Sequence, residues 1–324
     1  MERCFLEKDL DRLWQEYEVE RIKTNDHEEL TRFLNERLKD VSGIITGWDT
    51  PGPLSEELIN QAEKLEVLVH SAGSIRRLVP PVVWDRGIRV GTCNGVLAVG
   101  VAETTLGMII AGLKGFFPSR DWTRAGNWQN FPDIKNGMIR ELFEVTVGII
   151  SASKVGRHLL KLLKQFDVEV LVYDPFFSET EAEEMGVERV SLEELVKRSD
   201  VVTLHAPALP ETEGMLKEEH FKSMKDRAIF INTARANIVN QDAMIKELQT
   251  GRISAFIDVT TPEPVPADHP LRHMENVILT PHLAGNINNG CYRMGRSTVN
   301  QLLEYARGEK MHGEVTYQQF IHMA

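Results

Sequence analysis

The stretch "VTVGIISASKVGRHLLKLLKQFDVEVLVYDP" runs from Val145 to Pro175. It reads as an apolar strand, a tight turn, a helix, and a second apolar strand that ends on Asp174. That is the order of a dinucleotide-binding βαβ unit, whose turn is G-x-G-x-x-G. Here the turn is Ser151-Ala152-Ser153-Lys154-Val155-Gly156, with serine at two of the glycine positions. The glycines of such a turn make the tight bend, let the backbone approach a pyrophosphate, and let the helix pack on the strand. Gly156 keeps the third duty. Ser151 and Ser153 are the smallest polar substitutes for the other two, and the Ser153 hydroxyl could donate to a phosphate oxygen. The helix start offers free N–H groups and a positive dipole end. Asp174 stands where an acidic side chain takes ribose hydroxyls. Pro175, Phe176 and Phe177 follow, with no Arg or Lys to hold a 2′-phosphate, which favours NAD over NADP. Two other readings compete. A P-loop, G-x-x-x-x-G-K-[ST], is fitted loosely by Gly148 and Lys154 but broken by Ser153 and Val155. A plain βαβ unit with a solvated turn would need no ligand.

The rest of the chain bounds the choice. Its 324 residues suggest about two domains, and 42% hydrophobic with 26% charged residues is an ordinary globular composition. A net charge of −11 disfavours a nucleic-acid partner. The three cysteines, Cys4, Cys93 and Cys291, are far apart and form no CxxC pair. This argues against a disulfide framework or cysteine metal site and for a reducing compartment. The N-terminus, "MERCFLEKDLDRL", lacks the apolar core of a signal peptide. The most apolar helical run, "VAETTLGMIIAGLKGFF", is interrupted by Glu103, Thr104, Thr105 and Lys114, and reads as too short and too polar for a bilayer. A cytoplasmic protein is expected.

Short apolar strands alternate with helices in two series, before and after about residue 140, which implies mostly parallel α/β sheets. "FFPSRDWTRAGNWQNFPDIKNG" (116–137) reads as a connection between domains or an arm that packs on a partner. The polar tail "GEKMHGEVTYQQFIHMA" predicts a loosely held end. In the second series three strands end on polar residues. "FINTARANIV" ends on Thr233-Ala234-Arg235, "AFIDVTTPEP" on Asp258 with Glu263 in the loop beyond, and "NVILTPHLAGN" on Pro281-His282. Ligands of open α/β sheets bind at that edge. An Arg, a Glu and a His converging there form a recognisable set of roles. Taken singly, each has a plainer reading: a surface ion pair, a turn residue, one histidine among ten.

These pieces together resemble the D-2-hydroxyacid dehydrogenase family. "VAE" (101–103), the unit at 145–160, "LHAPALPET" (204–212), "INTAR" (231–235), "DVTTPEP" (258–264) and "TPHLAG" (280–285) occur in order. The loop is similar to the branch that reads G-A-S-x-V-G, so only Ser151 is an individual departure. The resemblance implies two Rossmann- or flavodoxin-like, doubly wound parallel-sheet domains with the active site in the cleft between them. It implies a discontinuous substrate domain, 1–115 with 288–324, around an NAD-binding domain, 116–287, and a homodimer. By the same match Arg235 would hold the carboxylate and carbonyl of a 2-oxoacid, His282 would be the acid–base, and Glu263 its partner. Cofactor contacts would come from Ser153, Lys154, Val155, Gly156, Asp174, His205, Pro207, Thr212, Thr233, Ala234 and Gly285, with Asp258 facing the nicotinamide amide.

The chemistry suits these residue types. Reducing a ketone needs a hydride at carbon and a proton at oxygen. Histidine can give that proton near neutral pH, and a carboxylate fixes its tautomer. A guanidinium binds a carboxylate through two parallel hydrogen bonds. The family's substrate loop departs here: G-x-G-x-D becomes Gly73-Ser74-Ile75-Arg76-Arg77. Gly73 and Ser74 keep backbone N–H groups for a substrate carboxylate, while Arg76 or Arg77 could read a second negative group or simply point to solvent. Trp48 could wall the pocket or be a core aromatic. A glyoxylate- or hydroxypyruvate-like 2-oxoacid reductase is expected. The alternatives are an NAD(H)-binding regulator of corepressor type, or a relic without cofactor. A formate dehydrogenase is disfavoured, because those relatives pair the histidine with glutamine.

Overall fold

A computed structural model of the protein describes residues 4–135, 137, 139–285 and 287–323. The chain divides into two compact units, one of Met1–Ala98 with Asn286–Ala324 and one of Val99–Gly285.

The first unit is built on three parallel strands, β1 (Gly43–Thr46), β2 (Val67–His70) and β3 (Arg89–Thr92), with β2 in the centre. Every residue of β2 is buried, as expected of a parallel strand covered on both faces. Strand alternation sorts its side chains. Leu68 joins Leu58, Ile59, Ile75 and Val90 on one face. Val67 and Val69 join Leu13, Val299 and Leu302 on the other, under the helices Glu7–Glu16 and Cys291–Ala306. At the end of β2, His70 is buried with Nδ1 2.9 Å from the Thr46 hydroxyl. Burial pushes its pKa down to about 4, so it is neutral at pH 7.

The tail is not loosely held. The Thr92 N–H donates to the Gly313 carbonyl at 2.9 Å, and the Val315 N–H donates to Val90 at 2.8 Å. The Trp84 indole donates to the Val315 carbonyl at 2.8 Å, and the Phe320 ring lies 4.5 Å from that of Trp84. β3 is an edge strand, and its outward backbone groups need partners. Val315 and Phe320 anchor a strap that supplies them, two apolar residues outweighing the polar composition around them.

The second unit holds seven parallel strands: β4 (Phe143–Ile150), β5 (Asp167–Tyr173), β6 (Glu188–Arg189), β7 (Val201–Leu204), β8 (Ile229–Asn232), β9 (Ser254–Ile257) and β10 (Val277–Leu279). Their order is β10-β9-β8-β7-β4-β5-β6. From β4 the chain builds outward through β5 and β6, then returns to lay β7 on the other side of β4. The strand order therefore reverses between β4 and β7, where a doubly wound sheet opens a ligand crevice beyond its strand ends.

The helix Asn94–Leu113 belongs to the second unit from Val99 onward. From Ala102 onward it packs in the second unit's core with Ile149, Ile229, Ile231 and Phe256. A Cβ at Gly112 would stand 2.9 Å from Ile229 and 3.0 Å from Phe256, so the helix lies close against the sheet. The second unit ends at Gly285. By length and composition alone this helix is long and apolar enough to cross a membrane, contrary to the expectation that its apolar run is too short and too polar for one. Its Ala102, Met108, Ile109 and Leu113 are buried in the core with residues of β4, β8 and β9. Residues 116–137 form no strand among those described, but fold into the helices Phe116–Arg124 and Pro132–Lys135.

Candidate active site

The loop of residues 151–156 sits at the switch point. β4 ends at Ile150, and Ser151 turns the chain with φ +80°, the left-handed region that favours glycine. Ser153 caps the helix Lys154–Leu163, its Oγ accepting from the Gly156 N–H at 3.4 Å. Accepting leaves that hydroxyl's proton available to a phosphate oxygen. Gly156 is obligatory: a Cβ there would lie 2.2 Å from the Ser151 carbonyl oxygen. Lys154 is exposed at the first residue of the helix, and desolvation by the surrounding protein lowers its ammonium pKa. Val155 packs partly into the core below.

Asp174 follows β5 and faces this turn. Its Oδ2 accepts from the Ser151 hydroxyl at 3.0 Å and the Ala152 N–H at 2.9 Å, and its Oδ1 from the Phe176 N–H at 2.8 Å. Across the switch point, His205 lies just past β7. Its Nε2 is 3.0 Å from the Thr203 hydroxyl, while its buried Nδ1 has no partner. Burial pushes its pKa down to about 3, so the ring is neutral. Pro207 and Thr212 shape the next loop: the Thr212 hydroxyl donates to the Pro207 carbonyl at 2.6 Å and accepts from the Leu209 N–H at 2.9 Å. A cradle closed to any Cβ, a capped helix start and an orphaned buried nitrogen fit a dinucleotide.

β8, β9 and β10 are neighbours, and the three polar segments leave their carboxyl ends. Beyond β8, the buried Thr233 hydroxyl lies 3.2 Å from that of Thr105. Thr105 already donates to the Val101 carbonyl at 2.9 Å, so Thr233 is the donor of that pair. Asn232 braces the turn, accepting from the Ala234 N–H at 3.0 Å and donating to the Arg235 carbonyl at 3.2 Å. The Arg235 Nη1 donates to the Ala234 carbonyl at 2.7 Å. The side chain keeps solvent access. Desolvation of the guanidinium lowers its pKa, Glu263 opposing this, and it stays charged at pH 7.

Beyond β9 and β10, His282 Nδ1 lies 3.0 Å from Oε2 and 3.2 Å from Oε1 of Glu263. An ionised carboxylate only accepts, so Nδ1 carries hydrogen and Nε2 is left to exchange a proton with a ligand. His282 has φ +51°, and its N–H donates to the Asp258 carbonyl at 3.0 Å. The buried Asp258 carboxylate holds the same loop. Oδ1 accepts from the Thr280 hydroxyl at 2.5 Å and the Leu283 N–H at 2.9 Å, and Oδ2 from the Ala284 N–H at 2.9 Å. Gly285 follows in that loop.

Motif and spacing do not single out Asn232 or the loop-holding role of Asp258. A signal for both exists in the sequence: a polar residue closing an otherwise apolar strand, as in "IFIN" and "AFID", needs a local partner once buried. In the first unit, Gly73 is buried, and a Cβ there would stand 2.8 Å from Asn94 Oδ1. Ser74 is exposed and its Oγ accepts from the Arg76 N–H at 3.4 Å. The Arg76 guanidinium donates to the Met323 carbonyl at 3.0 Å, and Arg77 is exposed. Trp48 is half exposed rather than a core aromatic.

A dinucleotide loop at the switch point of a doubly wound sheet, beside an Arg, a Glu and a His on three adjacent strand ends, defines the class: a nicotinamide-dependent oxidoreductase. Residues 106–284 match the family model described as D-isomer specific 2-hydroxyacid dehydrogenase, NAD binding domain. The chain is 31% identical over 86% of its length to a glyoxylate reductase of Korarchaeum cryptofilum, covering 83% of that protein. It is 31% identical over 85% of its length to a D-3-phosphoglycerate dehydrogenase of Methanocaldococcus jannaschii, of which it spans 52%. The structure of a phosphoglycerate oxidoreductase from Rhizobium etli superposes with a TM-score of 0.83 at 27% identity, covering 98% of this chain and 95% of that one. The chain belongs to the D-isomer-specific 2-hydroxyacid dehydrogenase family, as an NAD-dependent enzyme.

Proposed function

We propose that the protein reduces a small 2-oxoacid of the glyoxylate or hydroxypyruvate kind to its D-2-hydroxy acid. The observation that carries this is the His282–Glu263 pair at 3.0 Å, beyond β10 and β9, on the same sheet edge from which β8 presents Arg235. NADH, when bound, supplies the hydride. Arg235 holds the substrate carboxylate and carbonyl by paired N–H donors. His282 gives a proton from Nε2 to the carbonyl oxygen as charge develops there, and Glu263 keeps the ring in the tautomer and orientation for that transfer. Gly156, Ser153, His205 and Asp174 would hold the cofactor. The glyoxylate named for the archaeal relative supports a small substrate.

The test is an NADH titration followed by 340 nm assays on glyoxylate, hydroxypyruvate, pyruvate and bulkier 2-oxoacids. Turnover on the small members is expected. Binding without turnover on any of them would replace this reading by the regulatory one, and no binding would reject both.

The three widely spaced cysteines, with no CxxC pair, support a reducing compartment, the cytoplasm. A homodimer through residues 116–143 is supported by four exposed apolar side chains there: Trp128, Ile134, Phe116 and Phe143. Changing Trp128 and Ile134 together to glutamate is expected to turn a dimer into a monomer in light scattering after gel filtration. A wild-type protein that is monomeric at all concentrations would dismiss the interface.

A further inference from the structure

We infer that Ser151 sets the strength of dinucleotide binding by occupying an acceptor position on Asp174. The inference rests on the reading that Asp174 takes the adenosine ribose. An ionised carboxylate has about four acceptor positions. Three are filled within the protein. Oδ2 receives the Ser151 hydroxyl at 3.0 Å and the Ala152 N–H at 2.9 Å, and Oδ1 receives the Phe176 N–H at 2.8 Å. A ribose offers two neighbouring hydroxyls, and Asp174 retains room for one.

The two backbone donors come with the turn whatever residue stands at 151. The serine hydroxyl does not, because a glycine at the first loop position has none. Nor does it readily step aside. Ser151 is 8% exposed, and no other hydrogen bond to its Oγ is present among the described residues. Turning the hydroxyl away would leave a buried donor unpaired, which costs about as much as a ribose hydrogen bond contributes. Ser151 therefore competes with the cofactor for Asp174. The left-handed backbone at this position, φ +80°, is shared by the free and bound forms, so it bears on folding rather than on affinity.

The experiment is a fluorescence titration with NADH of the wild type, Ser151→Ala, Asp174→Ala and the double variant. Ser151→Ala is expected to tighten Kd about fivefold, the value of one added hydrogen bond to a carboxylate net of water. Asp174→Ala should weaken binding, and in that background Ser151→Ala should change nothing. Ser151→Gly, which also suits the left-handed backbone, should tighten Kd to the same extent and serves if alanine strains the turn. An unchanged or weaker Kd in both position-151 variants would overturn the inference, as would a fivefold tightening that persists without Asp174. A wild type that binds no NADH would instead reject the dinucleotide site itself.

Discussion

Replacing His282 by asparagine is expected to lower kcat on the best 2-oxoacid roughly a thousandfold while leaving the NADH Kd within about twofold, the usual scale of a lost general acid. Asparagine is chosen for the backbone. His282 has φ +51°, and among non-glycine residues asparagine adopts that region most readily. The loop is held from elsewhere. The His282, Leu283 and Ala284 N–H groups all donate to Asp258, which the substitution leaves in place. Asparagine can still donate to Glu263 from its amide, but it has no proton to transfer at neutral pH. Loss of kcat without loss of NADH binding therefore isolates the proton step. Glu263→Gln should cost less, about ten- to a hundredfold, because the ring keeps a partner but its tautomer is no longer set by a pure acceptor. A His282→Asn enzyme turning over at near-normal rate would remove His282 as the acid.

What is legible in the chain follows the range of the interactions. The strands are legible because burial on both faces makes them continuous apolar runs, as in "VLVH" and "VVTL". Arg235, Asp258 and His282 are legible because polar residues interrupt such runs at their carboxyl ends. The short helices Glu179–Met185 and Glu218–Ser223 carry too few turns to show a period, and the sequence pattern does not reveal them. Partner choice across the fold is not legible either. The Ser151–Asp174 bond joins positions separated by a helix, and depends on β4 and β5 pairing so that Ile150 sits beside Tyr173. The tail departs from its expected looseness for the same reason. Its composition is polar, but its backbone completes the edge of β3, and composition carries no trace of which strand edge needs covering.

Replacing Gly156 by alanine is expected to abolish NADH binding and lower Tm, although it adds only one methyl group. The carbon would lie 2.2 Å from the Ser151 carbonyl oxygen and 3.2 Å from its carbonyl carbon. These are backbone atoms, so no side chain can rotate to make room. Ser151 is tied on both sides, its N–H to the Tyr173 carbonyl at 2.7 Å and its hydroxyl to Asp174 at 3.0 Å. The helix Lys154–Leu163 is fixed by Leu159, Leu160 and Leu163 in the core. Either the helix start lifts from β4 or the turn opens. Overpacking of this kind costs about 2–3 kcal/mol, which lowers Tm by roughly 5–10 °C for a unit of this size. Either movement displaces the Ser153 cap and the helix N–H groups from a phosphate, so Kd should rise at least about a hundredfold. NADH should then raise the Tm of the wild type but not of the variant. A Gly156→Ala protein whose Tm still rises with NADH would show that the loop can yield, and that close packing of this helix on β4 is not what makes the site.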